Sequence, residues 1–127
     1  MTNTQLGRVQ LLIMQVLWNK GRATAREITD ALNATMPIAH STVQTLLRGL
    51  VDKGAVKFEA DGRTFVFVPL VEESQFRTTA TRDLLDRVFD GNVTSLVAHL
   101  LHHEKLSRQQ VDEIRKLIDA RGKKARD

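Results

Sequence analysis

The spacing of apolar residues along the first half of the chain predicts three helices. A first stripe, at steps of three and four residues, runs from Leu6 to Leu17, and Gly21 is a natural end for that helix. Thr24 and Glu27 have the spacing of a capping box, which predicts the start of a second helix. A third stripe has the same helical period, and its members are Val43, Leu46, Leu47, Leu50 and Val51.

The third helix combines its apolar stripe with a polar outer face. Ser41 and Gln44 match another capping box, so Ser41 is predicted to cap this helix, and Gly54 marks its end. A helix turns by about 100° per residue, so the residues between the apolar ones point away from the core or flank the stripe. Before the last turn, these residues are Ser41, Thr42, Gln44, Thr45 and Arg48.

A β-hairpin is predicted directly after the third helix. Residues 56–60 alternate between apolar and polar, residues 63–68 are rich in β-forming side chains, and Asp61-Gly62 is a two-residue turn signal. Three helices followed by a hairpin are the layout of a winged helix-turn-helix. With a turn at Asp61-Gly62, the cross-strand pairs are Ala60 with Arg63, Phe58 with Phe65, and Val56 with Phe67.

The second half of the chain is predicted to form three further helices. The first ends at Gly91-Asn92, and Ser107 caps the last. We therefore expect a mainly α protein with a small β-wing: a winged helix-turn-helix DNA-binding domain at 1–70 and a helical dimerisation region at 71–127. Such a short tail buries too little of its apolar surface alone, so two copies are expected to pair. The predicted dimerisation residues are Leu96, Leu100, Leu101, Ile114, Leu117 and Ile118.

Composition and charge narrow the class of protein. The 127 residues are 42% hydrophobic and 27% charged, which is ordinary for a globular protein. The absence of cysteine excludes disulfides, zinc fingers, iron–sulfur clusters and thiol nucleophiles. Of the formal net charge of +4, +3 lies in residues 1–70, where eight lysines and arginines stand against five aspartates and glutamates. This excess favours a polyanionic partner such as DNA.

Neither a catalytic motif nor a targeting segment is found in the sequence. There is no serine–histidine–acid set, glycine-rich phosphate loop or pair of carboxylates typical of a catalytic cleft, so neither an enzyme nor a cofactor is expected. The apolar run at 11–18 is interrupted by Gln15 and is far shorter than the roughly 20 residues that span a bilayer. It also lacks the basic leader of a signal peptide, so a cytoplasmic location is expected.

A series of motifs extends along nearly the whole chain. They are Leu6 with Ile13, Met14 and Trp18; residues 41–47 (Ser-Thr-Val-Gln-Thr-Leu-Leu); Lys53-Gly54; residues 67–70 (Phe-Val-Pro-Leu); residues 84–91; and residues 95–100. Their order and sequence resemble the penicillinase-repressor family, which comprises BlaI and MecI and the related copper repressor CopY. The resemblance implies a homodimeric transcriptional repressor whose winged-helix heads bind a palindromic operator in double-stranded DNA and whose C-terminal helices form the dimer.

The chain departs from this family at three places. Gln10 stands where a glutamate is common, and Gly49 stands where the family often has an arginine in the recognition helix. The family also implies a regulatory membrane protease as a partner. The bond that is cleaved in the family, Asn-Phe in the staphylococcal members, aligns here with His99-Leu100. Because this bond is predicted to lie inside a helix, we expect cleavage to be slow.

Candidate DNA contacts lie on the third helix and on the hairpin. Thr42, Thr45 and Arg48 are predicted to contact bases or to position the helix on the DNA. In the major groove, arginine can pair with guanine and threonine can contact the thymine methyl group. Lys57 and Arg63 suit phosphate or minor-groove contacts, although exposed basic residues are also common on hairpins. The full set of candidates is His40, Ser41, Thr42, Gln44, Thr45, Arg48, Lys57 and Arg63.

Three alternatives stay open at this point. The third helix could pack on a protein partner instead of DNA, although such a surface is normally more apolar. His40 is either a phosphate contact or an ordinary surface histidine. His99 and His103, spaced i, i+4, suggest a metal-responsive regulator, but two histidines are also typical of a polar helix face and fall short of a ligand set. No metal is therefore expected.

Overall fold

The computed structural model describes residues 6–126. In this range the elements are α1 (Arg8–Lys20), β1 (Ala23–Thr24), α2 (Ala25–Asn33), α3 (His40–Asp52), β2 (Val56–Asp61), β3 (Thr64–Pro69), α4 (Glu73–Phe89), α5 (Val93–His103) and α6 (Arg108–Arg126). They divide into two compact units, and the division falls between Asp83 and Leu84. The expected mainly α fold with a small β-wing is confirmed. The functional boundary after residue 70 stays a prediction.

The core of the first unit is formed by the apolar stripes of α1, α2 and α3. A fully buried leucine or isoleucine contributes about 1.5–3 kcal/mol relative to an exposed one, so this face of each helix determines how the three pack. The largest fully buried side chains are Ile13, Met14, Leu17, Ile28, Val43, Leu47, Leu50 and Val56. The centre of each stripe expected from the sequence is therefore buried, and the remaining stripe residues are half-buried.

Trp18 connects α1 to the residues that follow the hairpin. Its Nε1 donates a hydrogen bond to the carbonyl oxygen of Val71 at 2.8 Å. Its ring centroid lies 5.6 Å from that of Phe76, near the start of α4. The first compact unit therefore extends beyond β3.

The prediction of a capping box at the start of α2 is confirmed, whereas the prediction of one at the start of α3 is wrong. The Glu27 amide donates to Thr24 Oγ1 at 3.1 Å, and the Thr24 amide donates to Glu27 Oε1 at 2.9 Å. By contrast, α3 begins at His40, and no side chain caps it. The amide group of Asn33 donates to Ile38 O and accepts from Ile38 N, both at 3.0 Å. Because these contacts hold the preceding turn, the helix begins before Ser41.

The sheet has the strand order β1-β3-β2, with antiparallel pairs throughout. The predicted hairpin register is wrong by two residues, because the turn lies at Gly62-Arg63 rather than at Asp61-Gly62. Gly62 has a φ of 65°, which a two-residue hairpin turn requires at its first central position. A shift of two keeps every side chain on its expected face. The observed pairs include Asp61 with Thr64, Ala60 with Phe65, Phe58 with Phe67, and Val56 with Pro69.

The predicted cap of α6 at Ser107 is confirmed, whereas the cap of α5 at Asn92 was not predicted. Asn92 Oδ1 accepts from the Ser95 amide at 3.0 Å at the start of α5, and Ser107 Oγ accepts from the Gln110 amide at 3.1 Å at the start of α6. In residues 6–126, no helix combines the length and the apolar character needed to cross a membrane.

Candidate nucleic-acid interface

The α3 outer face, defined by Ser41, Thr42, Gln44, Thr45 and Arg48, is exposed along its whole length. The opposite face of the same helix is buried through Val43, Leu47 and Leu50. The packing of one face thus determines which polar groups reach the solvent. The hydroxyl of Thr45 donates to Ser41 O at 3.1 Å.

His40 links α3 to α2. Its Nδ1 lies 3.0 Å from Oγ1 of Thr29, and this hydroxyl also donates to Ala25 O at 2.7 Å. Which of the two groups donates in this pair depends on the tautomer of His40. Thr29 is buried. His40 is therefore half-buried and held at the junction of the two helices, rather than free on the surface.

The two basic residues predicted on the hairpin have different surroundings. Lys57 Nζ lies 3.1 Å from Glu59 Oε1, in a surface ion pair. Arg63 lies in the turn and is exposed, and it forms no ion pair within the described part of the chain. The positive charge of the hairpin is therefore concentrated at its tip.

A groove lies between α2, α3 and the hairpin, and the sequence did not reveal it. Its volume is about 560 Å³, and we call it the wing groove. Phe58 and Phe65 are 51% and 54% exposed, and their ring centroids lie 5.2 Å apart in an edge-to-face arrangement. The sequence feature that could have indicated this groove is the aromatic residues at alternate positions of the hairpin, close to exposed arginines. The defining residues of the wing groove are Arg26, Arg48, Phe58, Arg63, Phe65 and Phe67.

Gln10 of α1 and Gly49 of α3 lie in contact. Gln10 is buried, and its Oε1 accepts hydrogen bonds from the Gly7 amide and from Lys53 Nζ, both at 3.1 Å. Its Nε2 lies 3.0 Å from the position that a Cβ on Gly49 would occupy. The glycine in the recognition helix therefore leaves room for the amide of Gln10.

The predicted dimerisation residues lie mostly on the surface of the second unit. Leu96 and Ile114 are half-buried, whereas Leu117 and Ile118 are 71% and 57% exposed. Leu100 and Leu101 are also exposed. A single copy of α5 and α6 thus leaves a large apolar surface in water.

The histidines of α5 are close together but do not form a metal-ligand cluster. The ring centroids of His99 and His103 lie 4.3 Å apart, and that of His99 lies 5.7 Å from Phe89. In the described residues, no three histidines or acidic residues are placed to hold a metal ion. The aligned cleavage bond, His99-Leu100, lies within α5.

A helix that buries one face and exposes polar residues on the other, set beside a small β-wing, defines the winged helix-turn-helix class of DNA-binding proteins. The sequence profile of the penicillinase repressor family matches residues 6–120. The chain belongs to this family, which consists of transcriptional repressors and not of enzymes. The family, the fold and the DNA-binding repressor function expected from the sequence are thereby confirmed.

Individual relatives agree with this assignment. The chain is 28% identical over 115 residues to the penicillinase repressor of Bacillus licheniformis. The aligned segment covers 91% of this chain and 90% of that protein. It is 27% identical over 107 residues to the methicillin resistance regulatory protein MecI of Staphylococcus aureus. This alignment covers 84% of this chain and 87% of that protein. A solution structure of the DNA-binding domain of the repressor BlaI is 32% identical and superposes with a TM-score of 0.53, covering 59% of this chain and 93% of that one.

Proposed function

We propose that two copies of this chain form a repressor that binds an inverted repeat in double-stranded DNA through α3. The main support is the α3 outer face, whose exposed threonine, glutamine and arginine side chains stand on a helix with a fully buried opposite face. Such a helix fits the major groove, where these side-chain types distinguish base pairs. The runner-up function, a protein-interaction module, is less favoured because the same face lacks large apolar residues.

The residues of the interface would divide into two roles. Arg48 would pair with a guanine, and Thr45 would present its methyl group to a thymine, since its hydroxyl is bonded to Ser41. Thr42 and Gln44 flank them on the same face. Arg63 at the wing tip would contact phosphate or the minor groove, and His40 would contact phosphate from its fixed place at the start of α3. Lys57 would contribute less, because Glu59 already neutralises it.

The dimer would form through the exposed leucines and isoleucines of α5 and α6. Burying such a surface against a second copy is the simplest way to remove it from water. Closed two-fold pairing would relate the two α3 helices by the same axis. The target would then be an inverted repeat with half-site centres about 10 base pairs, or a multiple, apart.

Location and control are the remaining parts of the proposal. A repressor acts where the chromosome lies, so we place the protein in the cytoplasm. Cleavage at His99-Leu100 by a membrane protease would act on α5, and therefore on the dimer rather than on the DNA-binding surface. Since the bond is helical, cleavage would require local unfolding of α5.

The test is a binding measurement on DNA upstream of the protein's own gene, compared with a scrambled duplex. The wild type is expected to prefer the upstream duplex. Arg48→Ala is expected to weaken binding to it by about 1–3 kcal/mol and to lose discrimination at one base position. Arg22→Ala is the matched control, because Arg22 is exposed in the same unit but lies off the α3 outer face. A wild type that binds both duplexes equally would disprove sequence-specific repression.

A further inference from the structure

We infer that the wing groove is a binding site for a small planar aromatic anion, and that this ligand competes with DNA. The competition rests on the proposed function, because Arg48 belongs both to the groove and to the α3 outer face. The binding site itself rests on the shape, the aromatic walls and the charge of the groove.

The size and the walls of the groove fit a flat aromatic molecule. A volume of about 560 Å³ lies within the range of small-molecule sites, which are mostly apolar with a few polar groups. Phe58 lies close to two other rings, with its centroid 5.2 Å from that of Phe65 and 6.2 Å from that of Phe67. Half of the Phe58 and Phe65 side-chain surface is still in water. A further aromatic ring can cover this surface in the offset or edge-to-face geometry that aromatic pairs prefer.

The charge of the groove favours an anion with oxygen acceptors. Arg26, Arg48 and Arg63 line it from three different elements, and none of the residues lining it is acidic. None of these arginines forms an ion pair within the described part of the chain. Guanidinium groups bind the oxygens of carboxylates and phosphates in paired, planar contacts. Three guanidinium groups without an ion pair among residues 6–126, placed around aromatic walls, therefore match an aromatic carboxylate or phosphate.

DNA alone does not account for the aromatic side of the groove. A duplex presents phosphates, sugars and the edges of its bases at its surface, whereas the flat faces of the bases are stacked inside. The arginines could serve a DNA strand, whereas the exposed edge-to-face pair of Phe58 and Phe65 is better matched by an accessible aromatic ring. A ligand that engages Arg48 and Arg63 would occupy groups that the operator also needs.

The first experiment measures binding to the full chain by amide NMR, with 2-naphthoate as the probe. We expect shifts confined to the segments that line the groove, in α2, α3 and the hairpin, with a dissociation constant on the order of 1 mM or below for a ligand of this size. Cyclohexanecarboxylate, which is charged but not flat, and 2-naphthalenemethanol, which is flat but uncharged, should each bind at least about fivefold more weakly. Equal binding of either control, or shifts confined to α5 and α6, would overturn the inference.

Variants then separate the groove from the rest of the surface. Phe65→Leu keeps apolar bulk but removes the flat ring, and it should weaken 2-naphthoate binding about fivefold or more. Arg63→Gln should have a similar effect, whereas Arg22→Gln, an exposed arginine outside the groove, should have none. Thermal melting of each variant checks its folding, and Phe58→Leu replaces Phe65→Leu if the latter does not fold. Unchanged affinity in a folded phenylalanine variant would show that the probe does not bind in the groove.

Competition is measured on the upstream duplex. At ten times its own dissociation constant, 2-naphthoate should weaken DNA binding about elevenfold, and an equal concentration of cyclohexanecarboxylate corrects for ionic strength. Naphthoate binding without any effect on DNA affinity would overturn the competition. Naphthoate binding by a chain that binds no specific DNA would disprove the proposed function and leave the groove site standing. If naphthoate does not bind and Phe65→Leu weakens DNA binding, the inference is wrong and the groove is part of the DNA-binding surface.

Discussion

The side-chain amide of Gln10 occupies the space into which a side chain at Gly49 would extend. Gln10 Nε2 lies 3.0 Å from the position of a Cβ on Gly49, while Oε1 of the same amide is bonded to Gly7 and Lys53. The two residues are 39 positions apart in the sequence and lie on different helices, α1 and α3. We therefore expect substitutions of the two residues to affect each other.

This contact predicts that substitutions of the two residues are not additive. Gly49→Ala should gain up to about 1 kcal/mol from helix propensity, but in the wild type it must displace a hydrogen-bonded amide. In a Gln10→Ala background that obstacle is absent. The gain in unfolding free energy should therefore be larger there, by about 0.5 kcal/mol or more, in urea denaturation at one fixed protein concentration. Equal gains in the two backgrounds would show that the contact has no energetic consequence.

A second prediction concerns the pH dependence of the α2 cap. The hydrogen bond from the Thr24 backbone, aided by the Thr24 side chain and the charge of Lys20, lowers the pKa of the Glu27 carboxyl below 4.5. The charged form is thus favoured in the folded state, so its stabilisation is complete above about pH 4.5 and is lost as the pH falls through the lowered pKa. In thermal melts at pH 7, the melting temperature of the wild type should be higher than that of Glu27→Gln. This difference should become smaller at acidic pH.

The control for this prediction is Asp30→Asn, which removes one exposed negative charge from the same helix without affecting the cap. It corrects for the change in net charge as the protein is acidified. A difference between wild type and Glu27→Gln that is constant down to pH 3 would contradict the role of the cap.

A third prediction distinguishes the two basic residues of the hairpin. Arg63→Ala should lower the slope of log affinity against log salt by about one, as expected for one lost phosphate contact. Lys57→Ala should lower it by less, because Lys57 is paired with Glu59 at 3.1 Å. Both slopes are obtained by titrating the upstream duplex at several salt concentrations. A larger loss for Lys57 than for Arg63 would mean that the ion pair opens when DNA binds.

A fourth prediction concerns the apolar surface of α6. Leu117 is 71% exposed in a single copy, so Leu117→Glu should place a charge in the proposed dimer interface. We expect sedimentation of the wild type as a dimer at micromolar concentration and of the variant as a 14.3 kDa monomer. Lys116→Glu introduces the same side chain at an exposed polar position of the same helix, with a larger change in charge, and should remain dimeric. A wild type that sediments as a monomer would remove the dimer from the proposal.

A fifth prediction concerns access to the His99-Leu100 bond. If cleavage requires unfolding of α5, then Ala98→Gly, which costs an exposed helix about 1 kcal/mol, should speed cleavage about fivefold. Thermolysin, which cuts before large apolar residues, is a suitable probe, with the appearance of the expected fragments followed by mass spectrometry. Ala125→Gly makes the same change in α6 and should not affect this bond. Rapid cutting of the wild type, unchanged by Ala98→Gly, would indicate that the bond is accessible in the folded helix.

Much of the α3 interface was predictable, because it depends on helical period alone. Once Val43, Leu47 and Leu50 are recognised as one apolar stripe, the side chains between them must face outward. The start of the same helix was not predictable. The local match at Ser41 lost to the contacts of Asn33 with Ile38, which belong to the preceding turn and hold the chain in place before the helix begins.

The sequence by itself determined the helices, their buried stripes and the presence of a hairpin, since these follow from local spacing, and its motifs indicated the family by resemblance. Only the tertiary structure decided the partners of side chains that are far apart in sequence. It placed Gln10 against Gly49, joined His40 to Thr29, and left the rings of Phe58 and Phe65 open beside three arginines. Periodicity states which face of an element a residue occupies, but the neighbours on that face depend on how separate elements pack.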